Sequence, residues 1–169
     1  PTSTDYTRSL QQQAVNQSKV DANVGYDINP QFSPDGKYVA WISMERDGYE
    51  SDRARLCVYD LKSGKKSYVT ESFDSGVDGF AWASDSKQLF FVGVWHGKAN
   101  LHVTNLQGKV RAITNEQADY SLVAPLYGGK QLLVKRHSMA TADEIFLVDT
   151  RTGRPSQLTE ENKYFYDHL

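Results

Sequence analysis

Asn29-Pro30-Gln31-Phe32-Ser33-Pro34-Asp35-Gly36-Lys37-Tyr38-Val39-Ala40-Trp41 reads as a short strand, a tight turn and a strongly apolar strand. Pro34 fixes φ for the second position of the turn, and Gly36 takes a backbone angle that other residues resist. Beyond it come an alternating strand, Leu56-Cys57-Val58-Tyr59-Asp60, then the turn Lys62-Ser63-Gly64-Lys65, then a short strand closing on Val69-Thr70. The pattern then recurs twice. Its first turns are Ala83-Ser84-Asp85-Ser86 and Tyr127-Gly128-Gly129, and its apolar strands are Leu89–Val92 and Leu132–Val134, matching Tyr38–Ile42. The alternating strands return as Leu101–Asn105 and Ile145–Asp149, the glycine turns at Gly108 and Gly153, and the closures as Ile113-Thr114 and Leu158-Thr159.

Leu56, Leu101 and Ile145 are separated by 45 and 44 residues, and Thr70, Thr114 and Thr159 by 44 and 45. Four strands at such a period make a propeller blade; helical solenoids of similar period need amphipathic helices, and no window from Asn29 to Thr159 sustains a 3.6-residue period. A β-sandwich of twelve ordinary strands gives no reason for turn chemistry to repeat at constant spacing. The expected fold is all-β: a partial β-propeller of about three four-stranded antiparallel blades. The blades are expected over about 26–72, 73–116 and 117–160, within a propeller region spanning 26–162. Residues 1–25, with Gln11-Gln12-Gln13, do not fit the repeat and read as the remnant of a preceding blade or a loose arm. The apolar second strands predict burial on both faces, between neighbouring blades.

Composition narrows the function classes. Net charge is −2, and no Lys/Arg stripe suggests nucleic acid. No apolar run is long enough to cross a bilayer as a helix. Cys57 is the one cysteine, so neither an internal disulfide nor a paired-cysteine metal site is expected. No Gly-x-Ser-x-Gly elbow, phosphate loop, His-Glu-x-x-His or acidic calcium loop occurs, so neither catalytic residues nor a cofactor is expected. The start at Pro1 and the aromatic end Tyr164–Leu169 predict an excerpt of a longer chain, with 163–169 beginning a linker.

The stretch Asn29–Trp41 resembles the repeat signature shared by Tol-system periplasmic propellers and the prolyl oligopeptidase family. With Gly25-Tyr26-Asp27 before it, Ser43-Met44-Glu45-Arg46-Asp47-Gly48-Tyr49-Glu50 looks like the propeller of bacterial dipeptidyl-peptidase and acylaminoacyl-peptidase-type serine peptidases. The resemblance covers roughly Gly25 to Asn162. It implies a separate α/β-hydrolase domain in the same parent chain, peptide substrates, and a periplasmic or exported location. The propeller would be non-catalytic, screening access to the active site. The alternative is a Tol-like propeller that binds another protein.

Topology adds one expectation. In blades with strands A to D, the B-to-C loops and D-to-A connections share one rim, and a hydrolase attached after a final D strand sits beside it. That rim would carry Glu45, Arg46, Asp47, Tyr49, Glu50 and Arg53 on the long first loop, then Trp95, His96, Arg136 and His137. Binding residues concentrate on loops held by a rigid scaffold, and carboxylates suit a substrate ammonium. The same loop also reads as a solvated charged segment pairing within itself or with the hydrolase. Cut from its ring, the piece should expose two apolar blade faces and self-associate.

Overall fold

The computed structural model describes residues 26–44, 52–95 and 97–168. Expectations for residues 1–25 and for Glu45, Arg46, Asp47, Tyr49, Glu50 and His96 lie outside the described residues.

Among the described residues, twelve strands form three separate four-stranded antiparallel sheets in chain order. The first blade holds β1 (Asp27–Phe32), β2 (Tyr38–Ser43), β3 (Arg55–Asp60) and β4 (Lys66–Tyr68). The second holds β5 (Gly76–Trp82), β6 (Gln88–Trp95), β7 (Lys98–Asn105) and β8 (Val110–Ala112). The third holds β9 (Asp119–Leu126), β10 (Gln131–Ser138), β11 (Thr141–Asp149) and β12 (Pro155–Gln157). This is the all-β, partial propeller that the repeat implied. A single helical turn, α1 (Lys163–Tyr166), follows the last strand.

The repeated residues repeat for a reason. The hydroxyls of Thr70, Thr114 and Thr159 accept from the backbone N–H of Leu56, Leu101 and Ile145, each at 2.9 Å. That bond locks the end of each fourth strand to the start of its third. Asp60, Asn105 and Asp149 end the third strands, and each accepts backbone N–H groups of the next turn through its side-chain oxygen. In each blade the pairing of first and second strands shifts register, between Ile28 and Gln31, Val77 and Gly79, and Leu133 and Val134. Such bulges bend and twist the strand that carries them.

Two cores hold the blades together. Ala40, Ile42, Leu56, Val58 and Val69 of the first blade meet Val77, Phe80, Trp82, Leu89 and Phe91 of the second. Phe90, Val92, Leu101, Val103 and Ile113 of the second meet Tyr120, Leu132, Val134, Phe146 and Val148 of the third. Each seam thus joins the back of one blade to the front of the next. Gly153 marks how closely they approach: at φ +71° it lies against the Ile113 carbonyl, where a Cβ would collide.

The expectation that all three second strands are buried on both faces holds only for β6, where Leu89 through Gly93 are buried in succession. In β10 burial alternates, with Leu132 and Val134 inside and Lys135 and His137 exposed. Only the middle blade has a described neighbour on each side, which is the physical reason.

Candidate functional site

The rim formed by the B-to-C hairpins and D-to-A connections carries charged side chains that pair across it. Its scaffold starts with the residue before each repeated Leu or Ile: Arg55, Asn100 and Glu144 occupy one position in the three blades and are all buried. Each reaches the connection beyond its own fourth strand. Arg55 Nη1 bonds Glu71 Oε2 at 3.0 Å and stacks over the Tyr68 ring at 4.1 Å. Asn100 Oδ1 accepts from the Thr114 hydroxyl at 2.8 Å and the Glu116 N–H at 3.1 Å. Glu144 accepts from the Thr159 hydroxyl and from the Asn162 N–H at 2.9 Å. These bonds, the Thr159 one foremost, hold the Glu144 carboxyl below its ordinary range. One task, fixing a connection, is met by a cation, an amide and a carboxylate.

The residues expected from sequence divide on this scaffold. Arg53 donates from Nη1 to the Phe73 carbonyl at 3.0 Å and pairs with Glu71, so it clamps the first connection. That connection is pressed onto the second blade by Phe73, whose ring lies 5.4 Å from Phe91 and 4.8 Å from His102. Gly93 gives Phe73 its room; a Cβ there would overlap the ring. Burial lowers the His102 pKa and keeps the imidazole neutral. Trp95 sits half exposed at the end of β6, beside Val94, whose carbonyl accepts the Ser75 hydroxyl.

Arg136 and His137 are neighbours in sequence and face opposite ways. Arg136 lies toward the second blade, donating to Glu116 at 2.8 Å and Tyr120 Oη at 3.2 Å, with its guanidinium 5.3 Å from the Phe146 ring. Burial opposes its charge, but the bonds to Glu116 and Tyr120 prevail and raise its pKa. Burial also pushes the Tyr120 phenol up to about 12. His137 lies on the outer face between Asp143 at 3.0 Å and Asp119 at 3.6 Å. Lys135 bonds Asp143 at 2.7 Å and, with His137, lowers that carboxyl. Asp119 also accepts the Ala99 N–H at 2.7 Å, tying the second blade to the third.

Sequence reading missed Glu71, Glu116, Asp119 and Asp143. The signal was present, since acids follow the repeated threonines in Thr70-Glu71, Thr114-Asn115-Glu116 and Thr159-Glu160. An open pocket of about 290 Å³ lies beside Arg136, Glu144, Phe146, Gln157, Glu160 and Lys163. Among the described residues, no group of three or more His, Cys, Asp or Glu could hold a metal ion. Cys57 is buried and its thiol is pushed up to about 12, which leaves it protonated and unreactive. No helix among the described residues is long and apolar enough to cross a membrane.

No protein-family model matches the chain. In sequence it is 45% identical over 147 residues to dipeptidyl-peptidase 5 of Porphyromonas gingivalis, covering 86% of this chain and 21% of that protein. The chain spans about a fifth of the length of the curated relatives it matches. In structure it is similar to an acylaminoacyl peptidase in complex with Z-Gly-Gly-Phe-chloromethyl ketone, at TM-score 0.66 and 20% identity, over 86% of this chain and 21% of that one. It is also similar to a putative TolB from Agrobacterium tumefaciens, at TM-score 0.64 and 19% identity, over 82% of this chain and 50% of that one. The structural likenesses establish the fold. The chain is a β-propeller segment related in sequence to dipeptidyl peptidases.

Proposed function

We propose that the chain is the non-catalytic propeller portion of a dipeptidyl-peptidase-type serine peptidase, shaping peptide access to an α/β-hydrolase domain of the same parent. The observation that carries this is the 45% identity to a dipeptidyl peptidase across 86% of the chain. The rim supports it: Arg53, Trp95 and Arg136 lie on or beside connections fixed by Glu71, Thr114 and Glu116, a rigid frame on which exposed groups can meet a partner domain or a peptide. A periplasmic or exported location belongs to this reading. The Tol-like alternative has fold similarity behind it.

The test uses the full-length parent enzyme carrying Trp95→Ala or Arg53→Ala, assayed on a dipeptidyl substrate and on a longer peptide with the same first two residues. The reading expects kcat/KM to fall by about fivefold or more, unequally for the two substrates, with the thermal midpoint kept in Trp95→Ala and lowered in Arg53→Ala, which also loses the clamp on the first connection. Unchanged values on both substrates for both variants would remove it.

A further inference from the structure

Two positions of the repeat put a cation on one rim of every blade. Lys37, Lys87 and Lys130 each stand directly before the second strand. Lys65, Lys109 and Arg154 each follow the glycine of the turn between the third and fourth strands, Gly64, Gly108 and Gly153. The two turns of a blade lie side by side: the Lys37 carbonyl accepts the Leu61 N–H, and the Lys130 carbonyl accepts the Thr150 N–H, each at 3.0 Å. Bonds of 3.0 Å also tie the turns of neighbouring blades together, from the Asp35 N–H to Ser86 Oγ and from Arg111 Nη2 to the Thr150 carbonyl. All six cations are exposed. Lys87 and Lys109 are exposed although the middle blade has a neighbour on each side, so the exposure belongs to the repeat and not to the ends of the chain.

Little on this rim offsets them. Lys37 pairs with Asp35 at 3.5 Å, and none of the other five has an ion pair among the described residues. With Lys62 and Arg151 in the same turns, eight cations stand against the four carboxylates of Asp35, Asp60, Asp85 and Asp149. Those carboxylates are occupied by the backbone: each accepts N–H groups of its own turn. The connections 69–75, 113–118 and 158–162 of the opposite rim hold Glu71, Asp74, Glu116, Glu160 and Glu161 and no Lys or Arg. The net charge of −2 therefore conceals two rims of opposite sign. Strands of eight residues such as β7 keep the rims about 25 Å apart. The screening length is about 8 Å at physiological salt, so a partner at one rim responds to the charge it faces.

We propose that this rim docks on an anionic lipid surface, with the six repeated cations facing the headgroup phosphates. Charge complementarity points there, since each Lys or Arg held close to such a surface adds to the attraction. Five of the six are lysines, compact charges that suit mobile phosphates, whereas arginine favours ordered, bidentate contacts. Tyr127, 71% exposed in the first turn of the third blade, adds an aromatic ring with a polar tip, the kind that settles at headgroup level. Nucleic acid is the less favoured partner, because the cations are spread one pair to a blade over the turns instead of along one groove. The rim that carries Arg53, Trp95 and Arg136 then faces away from the lipid. This inference does not rest on the peptidase reading.

The experiment is co-sedimentation of the full-length parent protein with vesicles of phosphatidylcholine, alone or mixed with phosphatidylglycerol, at low and high salt. Binding is expected to the mixed vesicles only, and is lost at high salt. Lys87→Glu with Lys109→Glu should weaken it by about tenfold or more, and Lys87→Gln with Lys109→Gln by a smaller factor. Lys98→Glu with Lys163→Glu makes the same change in net charge toward the opposite rim and should leave binding within about twofold. Thermal midpoints check that each variant folds. No binding to the mixed vesicles, equal binding to both kinds, or equal weakening by the opposite-rim pair overturns the proposal. Tighter binding to duplex DNA at the same salt, lost in the same Lys87 and Lys109 variants, also overturns it, because the rim then belongs to nucleic acid.

Discussion

Thr114 shows how much one side chain carries in this fold. Its hydroxyl accepts from the Leu101 N–H and donates to Asn100 Oδ1, and both partners are buried. Thr114→Val keeps the shape and strands a buried donor, so unfolding stability should fall by roughly 1–3 kcal/mol, while Thr114→Ser should recover most of it. Chemical denaturation measures both, and equal losses would refute the hydroxyl's role. His102 gives a pH signature. Its folded-state pKa lies below the ordinary 6.5 because it is buried beside Phe73 and Phe91. Above 6.5 both states are neutral; below it the unfolded chain protonates first, so stability is lost as pH falls through the folded value. Asp60 and Asp149, held by turn N–H groups below their ordinary 3.8, add a second loss at more acid pH. His102→Asn should flatten the first phase of a stability–pH curve and leave the second. At this scale the threonines were legible as a repeat, but their bonds were not: spacing shows recurrence, while the acceptor role needs the third strand in place beside it.

Elements inherit their burial from their neighbours. Leu101 and Ile145 hold the same repeat position, yet Leu101 is wholly buried and Ile145 partly open. Leu101→Ala should cost about 2–5 kcal/mol, and Ile145→Ala less than half as much, measured by denaturant midpoint at low protein concentration. Equal costs would mean that the third blade is covered on its outer face. The turn Thr150–Gly153 shows the same dependence, because its tip presses on the Ile113 carbonyl of another blade. Sequence named Gly153 for its turn conformation alone. That it also sits in a seam follows only from packing. Likewise, an apolar run such as Leu132–Val134 announces a strand but not how many of its faces find a partner. The rim was readable as loops on one side of the repeat. Its acids were harder to find because they contact residues about 16 to 20 positions away, as Glu71 does Arg55 and Glu116 does Arg136.

At the scale of the whole molecule, the blades stack in order, each back on the next front, with the second between the first and the third. The proposed function depends on that arrangement, since it puts Arg53, Trp95 and Arg136 on one rim. The period of 44–45 residues made the stacking legible, because only repeated, self-similar interfaces need the same residues at the same spacing. The direct measurement is a set of methyl–methyl nuclear Overhauser contacts on the monomer at low concentration. Cross-peaks should join Leu101 and Val103 to Leu132, Val134 and Val148, and Ile42 and Leu56 to Val77 and Leu89. Cross-peaks from Ile42 or Leu56 to Leu132 or Val148 would instead put the first sheet directly against the third, and the propeller would be wrong.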